Sequence, residues 1–210
     1  MNKLALHHIE KAYDSNVVLR FDALTIPNGI HWLKGGNGIG KTTFFKVLTG
    51  QTPFKGQVVL DEISLRDHPT AFRSKISYAE AEPQYPSFVT GRELIDFYQK
   101  IRKSNTEQVD ELAQLFEMTN YLNQKVGGYS SGMLKKLSLI CAFTGEVDLY
   151  ILDEPLITID TSSAEKLYQL INKKTQAGKS FLLSSHQDID RDQIFLNGVL
   201  EIKDKQVLTC

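Results

Sequence analysis

Apolar and polar positions change their rhythm along the chain, and each rhythm predicts a different kind of element. Near the start, Leu4 to Ile9, Val17 to Phe21, Leu24 to Ile26 and Gln57 to Leu60 form short β-leaning runs bounded by turn residues such as Pro27-Asn28-Gly29 and Asp61-Glu62. These predict antiparallel strands at one edge. Ile30-His31-Trp32-Leu33 predicts a further strand, which leads into a glycine cluster and then a helical pattern, Phe44, Val47 and Leu48, ended by Gly50.

Over about residues 88–145 the pattern turns helical. Thr90 with Glu93 and Ser104 with Glu107 have the spacing of reciprocal N-terminal caps. Leu94, Phe97, Tyr98 and Ile101 fall on one helical face, as do Val109, Leu112 and Phe116. Strand and helix then alternate again: Leu149 to Leu152, a helix from about Ser162 capped with Glu165, and Phe181 to Ser184. That alternation predicts an α/β fold with a mainly parallel core sheet flanked by helices. With no internal repeat, low-complexity tract or linker, residues 1–210 are expected to form one unit carrying an antiparallel β edge subdomain and an inserted α-helical subdomain.

Composition narrows the partners. Twenty-four basic against 25 acidic residues leave a net charge of −1, without the basic excess that tracks a phosphate backbone, so no nucleic-acid partner is expected. No apolar run approaches the roughly 18 residues of a membrane span, so membrane association is expected to come through a partner. The opening residues run into His7, His8 and Glu10 before any apolar signal-peptide core can form, and a cytoplasmic location is expected. Cys141 and Cys210 are too far apart for a close zinc or redox pair.

The candidate chemistry begins in the glycine cluster. Gly35-Gly36-Asn37-Gly38-Ile39-Gly40-Lys41-Thr42 fits G-x-x-x-x-G-K-S/T between a predicted strand and a predicted helix. Glycines let the backbone N–H groups turn inward toward phosphate oxygens, and the helix adds the positive end of its dipole. Lys41 is then expected to reach the β- and γ-phosphates of ATP, and the Thr42 hydroxyl to bind Mg²⁺. Leu149 to Leu152 is a buried-strand pattern that ends in Asp153 and Glu154. Ligands bind at the carboxyl ends of parallel strands, so Asp153 is a candidate for the metal shell and Glu154 for polarising a water toward the γ-phosphate. His186 follows the next strand and is expected at the same sheet edge.

Together these residues resemble the ATP-binding cassette (ABC) family of P-loop NTPases over nearly the whole chain. The resemblance places Tyr13 as the aromatic residue stacking on adenine and extends the phosphate loop to Thr43. Tyr129-Ser130-Ser131-Gly132-Met133 stands where the family has its Leu-Ser-Gly-Gly-Gln signature, with Ser130 and Gly132 keeping the hydroxyl and open backbone that clasp the γ-phosphate of a nucleotide held by a second subunit. Asp160 matches the dimer-contacting loop and His186 the switch histidine. Tyr129, Ser131 and Met133 depart from the signature, and Ala81, between Glu80 and Glu82, stands where a glutamine belongs, with Gln84 displaced.

The resemblance implies a Mg²⁺-dependent ATPase subunit of a transporter. It would work as a homodimer closed by ATP, with Glu154, His186 and Lys41 as catalytic residues. A separate membrane-spanning permease would dock near residues 78 to 125 and hold the chain at the cytoplasmic face. A soluble ABC ATPase acting on DNA or ribosomes, a P-loop kinase and a non-catalytic nucleotide-binding module remain as alternatives. The scarcity of arginine for a kinase lid and the retention of Lys41, Asp153, Glu154 and His186 count against the last two.

Overall fold

A long hairpin opens the chain, made by β1 (Leu4–Tyr13) and β2 (Asn16–Ile26), with Leu4 opposite Ile26 and Ile9 opposite Phe21. The computed structural model describes residues 3–186 and 188–210; Met1 and Asn2, the first residues of the run expected to carry no signal-peptide core, lie outside them. Val17 to Phe21 and Leu24 to Ile26, expected as separate strands, form one. His7, His8, Asp22 and Ala23 are all exposed: His8 has φ 51°, which breaks the alternation, and pairing resumes in the same register with Ile9 opposite Phe21.

After the hairpin come β3 (Ile30–Lys34), α1 (Lys41–Thr49), β4 (Lys55–Leu60), β5 (Ile63–Ser64), α2 (Pro69–Ser74) and β6 (Ile76–Ala79). The helical region holds α3 (Gly91–Arg102), α4 (Thr106–Leu115) and the start of α5 (Ser131–Phe143). Then come β7 (Leu149–Leu152), α6 (Thr161–Gln176), β8 (Ser180–Ser185), β9 (Gly198–Lys203) and β10 (Gln206–Thr209).

The strands form two sheets. One is antiparallel, in the order β2-β1-β4-β5; the other is six-stranded, in the order β10-β9-β3-β8-β7-β6, with only the β10–β9 pair antiparallel. Sheets of parallel strands are covered on both faces, and alternate residues here serve two cores. Tyr150, Leu152, Phe181 and Leu183 pack with residues of α3 to α6. Leu149, Ile151 and Leu182 pack with α1, α2 and the antiparallel sheet. Tyr150 is stacked between Phe143 and Phe181, with ring centroids 5.0 and 4.9 Å apart.

The caps mark where sequence spacing and structure part. Thr90 and Glu93 form the expected reciprocal pair at α3. The cap of α4 is Asn105, which accepts from Gln108 N–H, not Ser104. The cap of α6 is Asp160, which accepts from Ser163 N–H, not Ser162. On α3 Gly91 and Ile95 are buried and Leu94 and Tyr98 pack half-buried against the core, while Phe97 and Ile101, expected on the same face as Leu94 and Tyr98, are 58% and 62% exposed. Val109, Leu112 and Phe116 are buried as their spacing requires.

Candidate nucleotide site

The carboxyl ends of β3, β7 and β8 lie side by side in the parallel sheet, with Leu33 level with Ser184 and Leu152 level with Leu183. The segments leaving these strands therefore gather at one edge: the loop from Gly35 after β3, Asp153-Glu154 after β7, and His186 after β8. Gly40, the residue before α1, has φ 111°, and a Cβ there would lie 3.1 Å from Val18. A glycine satisfies both demands. Gly36, Asn37, Gly38, Gly40, Lys41, Thr42 and Thr43 line a cavity of about 370 Å³ together with Glu154 and His186. Ala81, Glu82 and Ile157 complete its wall. A larger cleft of about 560 Å³ between α4 and α6, floored by Leu112, Leu115, Phe143 and Leu170, carries none of these groups.

Inside the cavity Lys41, Thr42, Glu154 and His186 are already paired. Lys41, buried at the start of α1, donates to Gly35 O at 2.7 Å and Gly36 O at 3.1 Å, and its Nζ lies 3.1 Å from Glu154 Oε1. The other oxygen of Glu154 accepts from His186 N–H at 3.2 Å and faces His186 Nδ1 at 3.0 Å. Glu154 itself has φ 45°, a left-handed conformation costly for a residue with a side chain. That turn lets adjacent carboxylates serve different partners.

Asp153 is fully buried and accepts from Thr42 Oγ1 at 2.7 Å, Ser184 Oγ at 2.5 Å and the Tyr78 hydroxyl at 3.3 Å. Ser184 also accepts from Glu154 N–H at 2.9 Å, so one hydroxyl steadies both acids. Burial, then the charge of Asp153, pushes the Tyr78 phenol far above its ordinary value, keeping it a donor. Behind the acids lies Lys135 of α5, whose Nζ donates to the carbonyls of Glu80, Ala81 and Asp153. Burial lowers this ammonium to about 8 despite the opposing pull of Asp153, Glu154, Glu80 and Glu82.

Sequence reasoning missed Ser184, Tyr78 and Lys135 as parts of this site. The signal for Lys135 was present: in a largely apolar helix it shares a face with Ser138, Leu139 and Ala142, all buried. A lysine on such a face needs buried acceptors.

The structure does not gather every expected residue here. Tyr13, 47% exposed at the end of β1, is not among the residues lining the cavity, and Lys11 Nζ sits 4.1 Å from its ring centroid. Ser130 and Gly132 also lie outside the cavity. The Ser130 Oγ accepts from Met133 N–H at 3.2 Å as the cap of α5, which leaves its own hydroxyl proton uncommitted. A Cβ on Gly132 would stand 2.6 Å from Thr158 O, so the loop after β7 rests against the start of α5. The same loop is tied down by Asp160, 2.7 Å from Lys136 Nζ. Gln84 lines an adjoining cleft with Lys46 and Tyr78, whereas Thr42, Ala81 and Glu82 line both clefts.

The profile of the ABC transporter family matches residues 22–157, which take in the phosphate loop, the region of Ser130–Gly132 and Asp153-Glu154. The chain belongs to the ABC transporter family. ATP-binding domains of this family hydrolyse ATP, and this ABC chain is an ATP-binding and ATP-hydrolysing domain of the P-loop type. It is 29% identical to the ABC-type transporter ATP-binding protein EcsA of Bacillus subtilis over 89% of this chain and 78% of that one. It is 28% identical to the cytochrome c biogenesis ATP-binding export protein CcmA of Legionella pneumophila over 77% of this chain and 80% of the relative. A solved ATP-binding subunit of an ABC transporter shares the fold with a TM-score of 0.87 at 21% identity, covering 99% of this chain and 89% of that one. Among the described residues no helix is long and apolar enough to cross a membrane.

Proposed function

We propose that this ABC chain is the ATPase subunit of a transporter, acting on a separate membrane-spanning partner through closure of two copies around ATP and Mg²⁺. The observation that carries this is the convergence of Lys41, Thr42, Asp153, Glu154 and His186 on one sheet edge, where Lys41, Thr42, Glu154 and His186 line one cavity and the buried Asp153 accepts from Thr42 behind it. In this reading residues 1–210 work as a single cassette whose helical region spans about 88–145.

Lys41 and the N–H groups of Gly35 to Thr43 hold the phosphates of ATP; the Lys41 ammonium exchanges its contacts with the loop carbonyls and Glu154 for phosphate oxygens. The Thr42 hydroxyl and Asp153 carboxylate offer the hard oxygen donors that Mg²⁺ prefers, so the residues present fit that ion. When bound, Mg²⁺ offsets negative charge on the β- and γ-phosphates. Glu154 accepts a proton from the attacking water, while His186 orients its carboxylate through Oε2. Tyr13 stacks on adenine once its ring leaves Lys11. Ser130 and Gly132 meet the nucleotide of the opposite copy, a role suited to an exposed hydroxyl at the positive end of α5.

The partner-facing region is supported by Phe97 and Ile101, one turn apart on α3, and by Phe88 in the preceding loop, which is 73% exposed. EcsA and CcmA carry transporter or export names, and location at the cytoplasmic face follows from such a partner.

The test is phosphate release by the purified chain with Mg·ATP, repeated for Glu154→Gln and Lys41→Ala. Glu154→Gln should bind ATP yet lose about 10² to 10⁴-fold in turnover, and ATP should convert it to a dimer in sizing experiments. Lys41→Ala should weaken nucleotide binding itself. Near-normal turnover in Glu154→Gln removes that carboxylate from its role, and a monomer at saturating ATP removes the dimer.

A further inference from the structure

Lys135 is 1% exposed, yet none of the acceptors of its ammonium is a carboxylate. Its three N–H donors go to three backbone carbonyls: Glu80 O at 2.8 Å, Ala81 O at 3.1 Å and Asp153 O at 2.8 Å. Those carbonyls belong to segments leaving two neighbouring parallel strands. The ladder between β6 and β7 runs to Ala79 opposite Leu152, and Asp153 N–H donates to Ala79 O at 2.9 Å. Beyond that level the chains separate, since Glu154 turns into its left-handed conformation and Ala81 and Glu82 run out to the cavity wall. The ammonium spans the gap where the ladder ends. It gathers carbonyl oxygens whose dipoles would otherwise face one another without a partner.

The lysine also connects these two segments to a third. It lies on α5, the helix capped by Ser130, and the next residue, Lys136, is paired with Asp160. The end of β7, the loop after β6 and the first turns of α5 are thus linked through one side chain.

We propose that Lys135 is a positioning residue for the nucleotide site, fixing the backbone of Asp153 and of Glu80–Ala81 relative to α5. This rests on the reading of Asp153 as a Mg²⁺ carboxylate. The lysine then holds the peptide of Asp153 while Ser184 and Tyr78 hold its carboxylate, and together they keep the hydroxyl–carboxylate pair of Thr42 and Asp153 in place. Because Ala81 has no side-chain amide to make such a link, the backbone of this loop is tied to the metal-side acid by a cation from behind.

The experiment measures ATP binding calorimetrically in a Glu154→Gln background, once with Mg²⁺ and once with EDTA, for Lys135→Met, Lys135→Gln and Asp153→Asn, with a melting curve for each. Lys135→Met should melt cooperatively and keep the EDTA affinity of its parent, while the factor by which Mg²⁺ improves affinity drops about tenfold, as when a supporting partner of a metal ligand is removed. Lys135→Gln, whose amide retains two donors, should fall between, and Asp153→Asn should lose the same Mg²⁺ factor. A full Mg²⁺ factor in Lys135→Met beside a lost one in Asp153→Asn overturns the positioning role and leaves the proposed function intact. A full factor in Asp153→Asn overturns the metal reading on which both depend. Equal losses with Mg²⁺ and with EDTA, or failure of both Lys135 variants to fold, would assign the lysine to the fold alone and also overturn the inference.

Discussion

Thr42 Oγ1 donates to Asp153 Oδ2 at 2.7 Å across 111 residues of sequence, joining the phosphate loop to the end of β7. Thr42→Val keeps the shape and removes the hydroxyl. A hydrogen bond to a charged group contributes about 1.5–3 kcal/mol, so turnover at limiting Mg²⁺ should fall by roughly 10 to 100-fold, and Thr42→Ser should restore it. Phosphate release across a Mg²⁺ series checks this; unchanged rates in Thr42→Val would separate the hydroxyl from the metal.

His186 touches Glu154 twice, through its ring and its backbone N–H. His186→Ala removes only the ring. Turnover should fall by about 10² with nucleotide affinity retained, in line with the loss of one well-placed polar group around a reacting centre. A single-turnover measurement reads this directly, and a loss confined to affinity would instead make the imidazole a nucleotide contact.

Lys136, then the backbone N–H of Ser163, holds the Asp160 carboxyl well below the usual carboxylate range. A depressed folded value contributes stability that is present above the unfolded value, about 3.9, and is lost as pH falls through the folded one. The wild type should therefore exceed Asp160→Asn in urea midpoint at neutral pH, by a margin that closes as the medium becomes strongly acidic. The carboxylate is 52% exposed, so the margin is small, about 0.5 kcal/mol. Asp160→Ala also loses the cap of α6, a further ~1 kcal/mol.

Gly132→Ala brings a methyl group against Thr158 O, where a Cβ would stand at 2.6 Å. Relief requires α5 or the loop after β7 to move, at a cost of about 1–3 kcal/mol. Denaturant midpoints should show it without nucleotide present. A midpoint equal to that of the wild type would mean the loop yields freely.

How far the sequence could be read varied with the range of the forces involved. The phosphate loop was plain because strand, glycines, lysine and helix are contiguous from Ile30 to Thr49. Asp153 and Glu154 were legible because a short apolar strand ends in them. The caps of α4 and α6 slipped because Ser104 and Asn105, or Asp160 and Ser162, compete within one turn, and tertiary partners such as Lys136 for Asp160 break the tie. The exposure of Phe97 and Ile101 was not legible because spacing alone shows that residues share a face but not what covers it. Ser184, Tyr78 and Lys135 reach the acids only through the sheet and through α5, contacts that no local pattern encodes.

The alignment of β7 with β8 sets how much change in length the chain can absorb. Leu152 is level with Leu183, so Asp153 and Ser184 emerge together, and a shift of one residue in either strand would carry its side chains through to the opposite side of the sheet. Residues added at the 177–179 turn, at the far end of β8, enlarge a surface bend and leave this pairing alone. One residue inserted within Leu149–Leu152 would turn Asp153 away from Thr42, so the short strand behaves as a ruler whose length evolution can alter only by rebuilding the site.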